Sequence, residues 1–342
     1  KRLNSHQRAA VDHIEGPVMV IAGPGTGKTQ ILGARVGKIL LETDVSPQNI
    51  LCLTYTDAGV IAMRRRLLSF IGPDAYRVGI FTFHAFCHEV IQDNLAVFEK
   101  TELDPISELE RITLFRELID NFPKGHPLKR YRGDVYFEIN NLSRLFHAMK
   151  KEGWTPEFIT GKIDEYLKEL PERDEFIYKT DRAGKWKKGD LKPAYHEELE
   201  RMEKLRAAVN EFPVFQEMMR SRRRYDFDDM INWVIKAFEE NAGLLARYQE
   251  QYQYILVDEY QDTSGTQNRL VELLISFWEK PNVFVVGDDD QSIYRFQGAN
   301  VENMEHFRNN YSADLFTVIL QDNYRSTQPI LDFSKNLINR NR

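Results

Sequence analysis

Cysteine is scarce in this sequence, whose 342 residues include only Cys52 and Cys87. Two cysteines cannot form the disulfide framework of a small secreted protein, so a reducing cytosol is the default expectation. No run approaches the roughly 18 consecutive apolar residues that a membrane-spanning helix needs, and no charged-then-apolar leader opens the chain. With 42 % apolar and 29 % charged residues, the composition predicts a soluble protein of about two globular domains.

An excess of positive charge is also absent, because the formal net charge is −6 at pH 7. This balance argues against a uniformly basic surface, but an acidic molecule can still have a locally positive groove. Basic clusters occur at 64–66, 185–188 and 220–224. Each cluster taken singly is interpreted more simply as a solvated helix face. Composition alone therefore leaves nucleic-acid binding open.

Short β-rich runs recur along the chain, at 17–21, 50–55, 79–83, 254–258, 283–287 and 315–320. Stretches with helical spacing separate most of them, a pattern typical of βαβ units and a mainly parallel sheet. Residues 93–224 interrupt this pattern, because they are rich in Glu, Lys, Leu and aromatic residues and contain no convincing buried strand. We therefore predict an α/β domain formed by 1–92 and 225–342, with an all-helical domain inserted at 93–224.

The segment AGPGTGKTQ, residues 22–30, follows one apolar run and precedes a helical pattern. A strand, a glycine-rich turn and a helix in this order predict a phosphate-binding P-loop. Its glycines let backbone N–H groups turn toward phosphate oxygens, and the helix directs its positive end at the same anion. Lys28 would contact the β- and γ-phosphates, and the Thr29 hydroxyl would ligate Mg²⁺. The strict motif begins with Gly, where this chain has Ala22. The residues predicted to hold the nucleotide here are Gly23, Gly25, Thr26, Gly27, Lys28 and Thr29.

Two further strand ends carry polar side chains that a nucleotide site needs. The run 254–257 ends in Asp258-Glu259, and the carboxyl ends of strands lie beside the P-loop in such sheets. Asp258 would hold Mg²⁺, and Glu259 would orient and deprotonate the attacking water. The run 283–286 leads to Gln291, which would reach the γ-phosphate or that water. The aspartates at 288–290 are a second metal candidate or, more simply, turn caps.

Together these motifs resemble the superfamily 1 DNA helicases of the UvrD/Rep/PcrA kind. The resemblance spans nearly the whole chain apart from 93–224, and the motifs occur in the family's order. The segments that carry it are Leu3-Asn4 with Gln7, AGPGTGKT at 22–29, Thr54-Tyr55-Thr56-Asp57, Thr82-Phe83-His84, Asp226-Phe227-Asp228-Asp229, VDEYQDTS at 257–264, GDDDQSIYRFQGA at 287–299 and Gln321-Asp322-Asn323-Tyr324-Arg325-Ser326. It implies a RecA-like P-loop motor domain that uses ATP and Mg²⁺.

The resemblance implies roles for four further side chains at the nucleotide. Gln7 would read the adenine edge, since an amide offers both a donor and an acceptor. Tyr324 would stack on the base, and Arg35 would flank it. Arg325 would contact the γ-phosphate as an arginine finger. The catalytic set is then Glu259, Gln291 and Arg325.

The resemblance also implies a track for single-stranded DNA across the motor domain. Aromatic side chains would stack on successive bases, which tolerates any sequence, and nearby hydroxyls would hold phosphates. The implied positions are Tyr55, His84, Tyr294 and Phe296 for stacking, and Thr54, Thr56 and Thr82 for phosphates. Four residues depart from the family's usual Asn, Lys, Trp and Arg, namely Asp57, Ala58, Phe296 and Gln297. We therefore expect altered DNA affinity without loss of ATP binding.

The predicted activity is that of an ATP-dependent DNA helicase or translocase, with 3′→5′ polarity taken from the resemblance alone. Its partners would be single-stranded DNA and a single-strand/duplex junction, and its location the cytoplasm, near a bacterial nucleoid. Two alternatives are the helicase part of a helicase–nuclease in DNA repair or recombination, and a non-hydrolysing, ATP-gated DNA-binding module. Retention of Glu259 and Gln291 argues against the module, because binding alone needs no water-activating carboxylate.

The family's second motor domain and later motifs are not found before Arg342. We therefore expect this chain to be an N-terminal fragment that binds ATP weakly and has little or no turnover by itself.

Overall fold

The computed structural model describes residues 3–98, 103–182, 184–288 and 302–339. Its strands, in chain order, are β1 (Val18–Ala22), β2 (Ile50–Thr54), β3 (Gly79–Thr82), β4 (Asp104–Pro105), β5 (Arg224–Tyr225), β6 (Tyr254–Val257), β7 (Val283–Gly287) and β8 (Phe316–Leu320). Its α-helices, in chain order, are α1 (Ser5–Asp12), α2 (Lys28–Glu42), α3 (Asp57–Ile71), α4 (Phe83–Asp93), α5 (Leu95–Phe98), α6 (Glu108–Asp120), α7 (Ile139–Glu152), α8 (Pro156–Glu169), α9 (Pro193–Asn210), α10 (Phe212–Ser221), α11 (Phe227–Glu240), α12 (Ala242–Gln251), α13 (Gly265–Ile275), α14 (Glu302–Asn310) and α15 (Gln328–Asn339). Within the described residues, no helix is both long enough and apolar enough to cross a lipid bilayer.

Six strands form one sheet in the order β3-β2-β6-β7-β1-β8, and every neighbouring pair is parallel. The six apolar runs predicted as strands all form strands, each within one residue at either end. The predicted α/β class with a mainly parallel sheet is therefore confirmed. Because all neighbouring strands are parallel, the carboxyl ends of all six lie at one edge of the sheet.

Burial explains why these strands are visible in the sequence. Every residue of β2, β6 and β7 is buried, and strands covered on both faces read as continuous apolar runs. The edge strand β8 alternates instead, with Val318 and Leu320 buried and Ile319 half exposed. On one face of the sheet, Val18 and Val20 of β1 belong to the same core as Ile31 and Val36 of α2. This packing fixes α2 directly after the loop that leaves β1.

The described residues divide into two compact units, one from 1–99 with 230–342 and the other from 100–229. The first unit contains the six-stranded sheet. The second contains α6 to α10, together with β4 and β5, which pair in parallel over two residues each. The predicted boundaries, after residues 92 and 224, lie a few residues before these. The assignment of a motor domain and an inserted domain stays a prediction.

The second unit has its own aromatic core. Phe115 stacks on Phe215 with ring centroids 4.3 Å apart, and Phe146 packs against both rings. The acidic motif at 226–229 is also partly used inside this unit, because the buried Lys150 ammonium lies 2.7 Å from Asp226 and 2.9 Å from Asp229. A buried charge needs such partners, so this part of the motif has a structural role.

Candidate functional site

The loop between β1 and α2 requires glycine at two positions. Gly25 has φ +73° and Gly27 has φ +93°, a region that L side chains rarely adopt. A Cβ at Gly25 would also lie 2.7 Å from the Arg325 Cβ, and one at Gly27 would lie 3.0 Å from the Gln7 Nε2. Gly27 is the N-cap of α2 and provides no side-chain cap. The loop thus brings an uncapped helix start close to Gln7 and Arg325.

Hydrogen bonds from inside and outside the loop fix its shape. The Thr26 hydroxyl donates to the Gly23 carbonyl over 2.7 Å. The backbone N–H of Tyr324, in the segment after β8, donates to the Gly25 carbonyl over 2.8 Å. The Asn323 amide donates to the Pro24 carbonyl. Residues about 300 positions apart in sequence therefore meet at this loop.

A cavity of about 530 Å³ opens at the loop, within the usual size range of small-molecule sites. Its lining residues are Gln7, Pro24, Gly25, Gly27, Lys28, Thr29, Gln30, Arg66, Glu259, Tyr324 and Arg325. Most of the predicted nucleotide residues that the structure describes are therefore in one place. Gly23 and Thr26 belong to the loop but do not line the cavity.

Lys28 and Glu259 face each other in this cavity, with 2.8 Å between the Lys28 Nζ and the Glu259 Oε2. The neighbouring Asp258 is only 7 % exposed. Burial, and next the charge of Glu259, raise the pKa of Asp258 to about 7. A nearby cation would stabilise the ionised form of this buried carboxyl group. Mg²⁺ commonly binds one or two carboxylates together with substrate phosphates, and Asp258 and Thr29 have oxygen donors of this kind. Thr29 lines the cavity, whereas Asp258, directly before Glu259, does not.

Gln7 is already held by the protein. Gln7 is the third residue of α1 and forms a capping box with Asn4, in which the Gln7 Oε1 accepts from the Asn4 N–H over 3.1 Å. Its Nε2 donates to the Thr26 carbonyl over 2.8 Å. Tyr324 is 61 % exposed, and its hydroxyl accepts from the Asn4 amide. Asn4 thus links Gln7, which is predicted to recognise the adenine edge, to Tyr324, which is predicted to stack on the base.

The structure corrects the prediction that Arg35 flanks the base. Arg35 is 1 % exposed, lies outside the cavity lining and stacks over the Phe284 ring at 4.4 Å. Its guanidinium donates to the carbonyls of Ala10, His13 and Ile14. The last carbonyls of a helix have no partners within the helix, and Arg35 provides donors for them at the end of α1.

Sequence reasoning missed Arg66 and Gln30, both of which line the cavity. Arg66 lies on α3, and a Cβ at Gly33 of α2 would come within 2.9 Å of its Cγ. The absence of a side chain at Gly33 therefore leaves room for Arg66 between the two helices. The available signal was the basic cluster at 64–66, which we interpreted as a solvated helix face.

The other residues of the basic clusters differ in their surroundings. Arg64 donates to the carbonyls of Ala75 and Val78, and Arg224 pairs with Asp104 and Glu110. The lysines at 185, 187 and 188 are exposed.

Those predicted DNA-binding residues that the structure describes lie at or just after the carboxyl ends of two neighbouring strands. Thr54 at the end of β2 pairs in register with Thr82 at the end of β3. The Thr56 and Thr82 hydroxyls cap α3 and α4. Tyr55 and His84 are half buried beside them.

The prediction for Thr54 needs correction. This residue is 2 % exposed, and its hydroxyl packs so tightly against Gly59 that a Cβ there would lie 2.4 Å away. A phosphate cannot reach the hydroxyl in this arrangement. Gln291, Tyr294 and Phe296 lie outside the described residues, so their predicted roles stay predictions.

The parallel sheet, its glycine-rich loop and the cavity at the strand ends define an α/β domain of the RecA-like kind. A family model for the UvrD/REP helicase N-terminal domain matches residues 3–312, and the chain belongs to this family. The match confirms the resemblance inferred from the motifs.

Among similar curated proteins are three bacterial proteins named ATP-dependent DNA helicase PcrA. The protein from Leuconostoc citreum is 31 % identical over 340 residues, which cover 99 % of this chain and 39 % of the relative. One from Staphylococcus epidermidis is 32 % identical over 345 residues, which cover 100 % of this chain and 40 % of the relative. One from Staphylococcus aureus is 32 % identical over 341 residues, which cover 99 % of this chain and 40 % of the relative. The chain thus spans about 40 % of the length of these relatives.

Proposed function

We propose that this chain binds ATP with Mg²⁺ and single-stranded DNA, and that it forms the first motor domain of an ATP-dependent DNA helicase. The observation that carries the proposal is the convergence of Lys28, Thr29, Glu259 and Arg325 on one cavity. Relatives named as ATP-dependent DNA helicases support the same reading. Single-strand/duplex junction binding, 3′→5′ polarity and a place near the nucleoid are part of the proposal.

The cavity residues divide between holding phosphate and holding the base. Lys28 would hold the β- and γ-phosphates, and Thr29 with Asp258 would hold Mg²⁺. Bound Mg²⁺ supplies charge neutralisation at the phosphate oxygens. Tyr324, exposed in the cavity, would stack on the base, and Gln7 would present its amide to the adenine edge.

Hydrolysis would follow from a change of partners at Lys28. In this structure Glu259 is the carboxylate partner of Lys28, and incoming phosphates compete for the same ammonium group. Once Lys28 binds phosphate, the Glu259 carboxylate can take a proton from the attacking water. Arg325 would stabilise the charge that develops on the γ-phosphate. We propose that Gln291 contacts the γ-phosphate or positions the attacking water.

The DNA track would follow the carboxyl edge of β2 and β3. Tyr55 and His84 would stack on bases, and the hydroxyls of Thr56 and Thr82 would hold phosphates. We propose Tyr294 and Phe296 as further stacking residues on the strength of the family resemblance. Sequence-tolerant stacking suits a motor that must move along any DNA.

The test is a comparison of wild type with Glu259→Gln. Isothermal titration of this chain with a non-hydrolysable ATP analogue and Mg²⁺ measures binding, and phosphate release by the full-length protein, with and without single-stranded DNA, measures turnover. We expect binding to be retained or tightened in Glu259→Gln and DNA-stimulated turnover to be lost. Unchanged turnover would refute the assigned base. Full-length wild type that binds both ligands but never hydrolyses ATP would favour the ATP-gated module instead.

A further inference from the structure

One buried side chain connects the ends of two strands beside the cavity. Gln261 lies in the short 3₁₀ turn Tyr260–Asp262 after β6 and is 2 % exposed. Its Nε2 donates to the Glu259 Oε2 over 3.0 Å and to the Asp262 Oδ2 over 3.1 Å. Its Oε1 accepts from the backbone N–H of Asp288, just beyond β7, over 3.0 Å. One amide thus joins the Glu259 carboxylate to the end of β7.

The chemistry of the partners fixes which way this amide points. A backbone N–H can only donate, so the amide oxygen of Gln261 must face Asp288. The amide NH₂ group then faces Glu259 and Asp262, whose ionised carboxylates accept hydrogen bonds. A flipped amide would bring NH₂ against N–H on one side and oxygen against carboxylate on the other. The connection therefore has one stable arrangement.

The packing around the connection leaves little freedom. A Cβ at Gly287 would lie 2.9 Å from the Gln261 Oε1 and 3.2 Å from the Gln261 backbone nitrogen. Glu259 itself has φ +50°, a conformation that non-glycine residues hold only when their surroundings enforce it. A displacement at 287–288 would therefore be transmitted to Gln261 and to the carboxylate that it binds.

We propose that Gln261 is a positioning residue that couples the end of β7 to the orientation of the Glu259 carboxylate. The proposal rests on the proposed role of Glu259 as the base. When phosphate takes Lys28 away from Glu259, Gln261 remains as a donor to the same oxygen, the Oε2. A shift of the Asp288 N–H at the end of β7 would thus reorient the Glu259 carboxylate through Gln261.

The test compares Gln261→Met with Gln249→Met in the full-length protein. Gln249 is a matched control, because it is also a buried glutamine of the first unit, 6 % exposed, whose Nε2 donates to the Leu273 carbonyl over 2.7 Å. For Gln261→Met we expect kcat at saturating ATP and single-stranded DNA to fall about tenfold, the loss of roughly one hydrogen bond to a charged group. The Kd for the ATP analogue should change less than threefold. Gln249→Met should lower Tm similarly and leave kcat unchanged.

A second variant, Gln261→Glu, keeps the side-chain shape and the acceptor for Asp288 but loses the donor to Glu259 at neutral pH. Its kcat should therefore fall at least as far as that of Gln261→Met, with a change of less than threefold in the Kd for the ATP analogue. A merely structural residue would not separate kcat from Kd in this way. A wild-type kcat in Gln261→Met or Gln261→Glu, or an equal loss in Gln249→Met, overturns the coupling. Retained hydrolysis in Glu259→Gln would instead refute the proposed function.

Discussion

The Lys28 ammonium lies 2.8 Å from the Glu259 carboxylate inside the cavity, with side chains 12 % and 36 % exposed. The two groups proposed to act on the nucleotide are thus each other's partners before it binds. A phosphate bound at Lys28 would compete with Glu259 for the same ammonium group, so nucleotide binding and release of the carboxylate would be linked events.

Replacement of Lys28 by Met should weaken ATP-analogue binding by roughly 10- to 100-fold, because a charge-assisted contact contributes about 1.5–3 kcal/mol. Isothermal titration measures the change. Lys38→Met is the control on the same helix, since Lys38 pairs with Asp12 and Glu42 at the surface. Equal affinities in Lys28→Met and wild type would exclude Lys28 as a phosphate contact.

Substitution of Gly25 by Ala should abolish nucleotide binding and lower the free energy of unfolding, since the new Cβ would both clash with Arg325 and disfavour φ +73°. Gly16→Ala separates the two effects. Gly16 has a similar φ of +78°, but a Cβ there would meet nothing within 4 Å. We expect Gly16→Ala to cost about 1–2 kcal/mol of stability and to bind normally. Similar binding losses in both variants would argue against the clash.

Asp258→Asn should raise Tm in nucleotide-free buffer with EDTA at pH 8. Burial raises the pKa of Asp258 to about 7, above its ordinary value of 3.8. Ionisation is therefore harder in the folded state, and the carboxylate destabilises the fold increasingly from about pH 4 to pH 7, by as much as a few kcal/mol above that range. The variant should lose the extra stability that Mg²⁺ with ATP gives wild type. The control is Asp44→Asn, at an exposed position, which should leave Tm nearly unchanged. A lower Tm in Asp258→Asn than in wild type would contradict the expectation.

Glu110→Gln should destabilise the second unit at pH 7 but not near pH 2. The Ser107 backbone N–H and hydroxyl, and then Arg224, lower the pKa of Glu110 from 4.5 to about 2. A depressed carboxyl pKa contributes stability above pH 4.5, which is lost as pH falls toward 2. Urea unfolding at pH 7, 4 and 3 should show the difference from wild type narrowing. Glu108 lies in the same first turn but takes no part in the capping box. Glu108→Gln should therefore change stability less at each pH.

The strands could be predicted from the sequence to within one residue because burial on both faces gives β2, β6 and β7 uninterrupted apolar runs. The glycine-rich loop was equally predictable, since Gly25 and Gly27 have backbone angles that few other residues adopt. Local chemistry determined both features.

Contacts across elements could not be predicted in the same way. Helical spacing shows which face Arg35 occupies but not that the end of α1 lies against that face. The crossing of α2 and α3 at Gly33, which admits Arg66 to the cavity, depends on tertiary packing. Gln261 joins Glu259 to Asp288 across two neighbouring strands, and no periodicity within either segment indicates it.

The position of β1 in the sheet has a consequence for biosynthesis. Val18 pairs with Phe284 on one side and with Phe316 on the other, so both neighbours of this apolar strand are made long after it. At about 5–20 residues per second, the ribosome needs on the order of tens of seconds to reach them. During that time β1 has two unsatisfied edges in the nascent chain. The sheet can therefore close around β1 only after Leu320 has been synthesised, and until then β1 is an exposed, aggregation-prone edge.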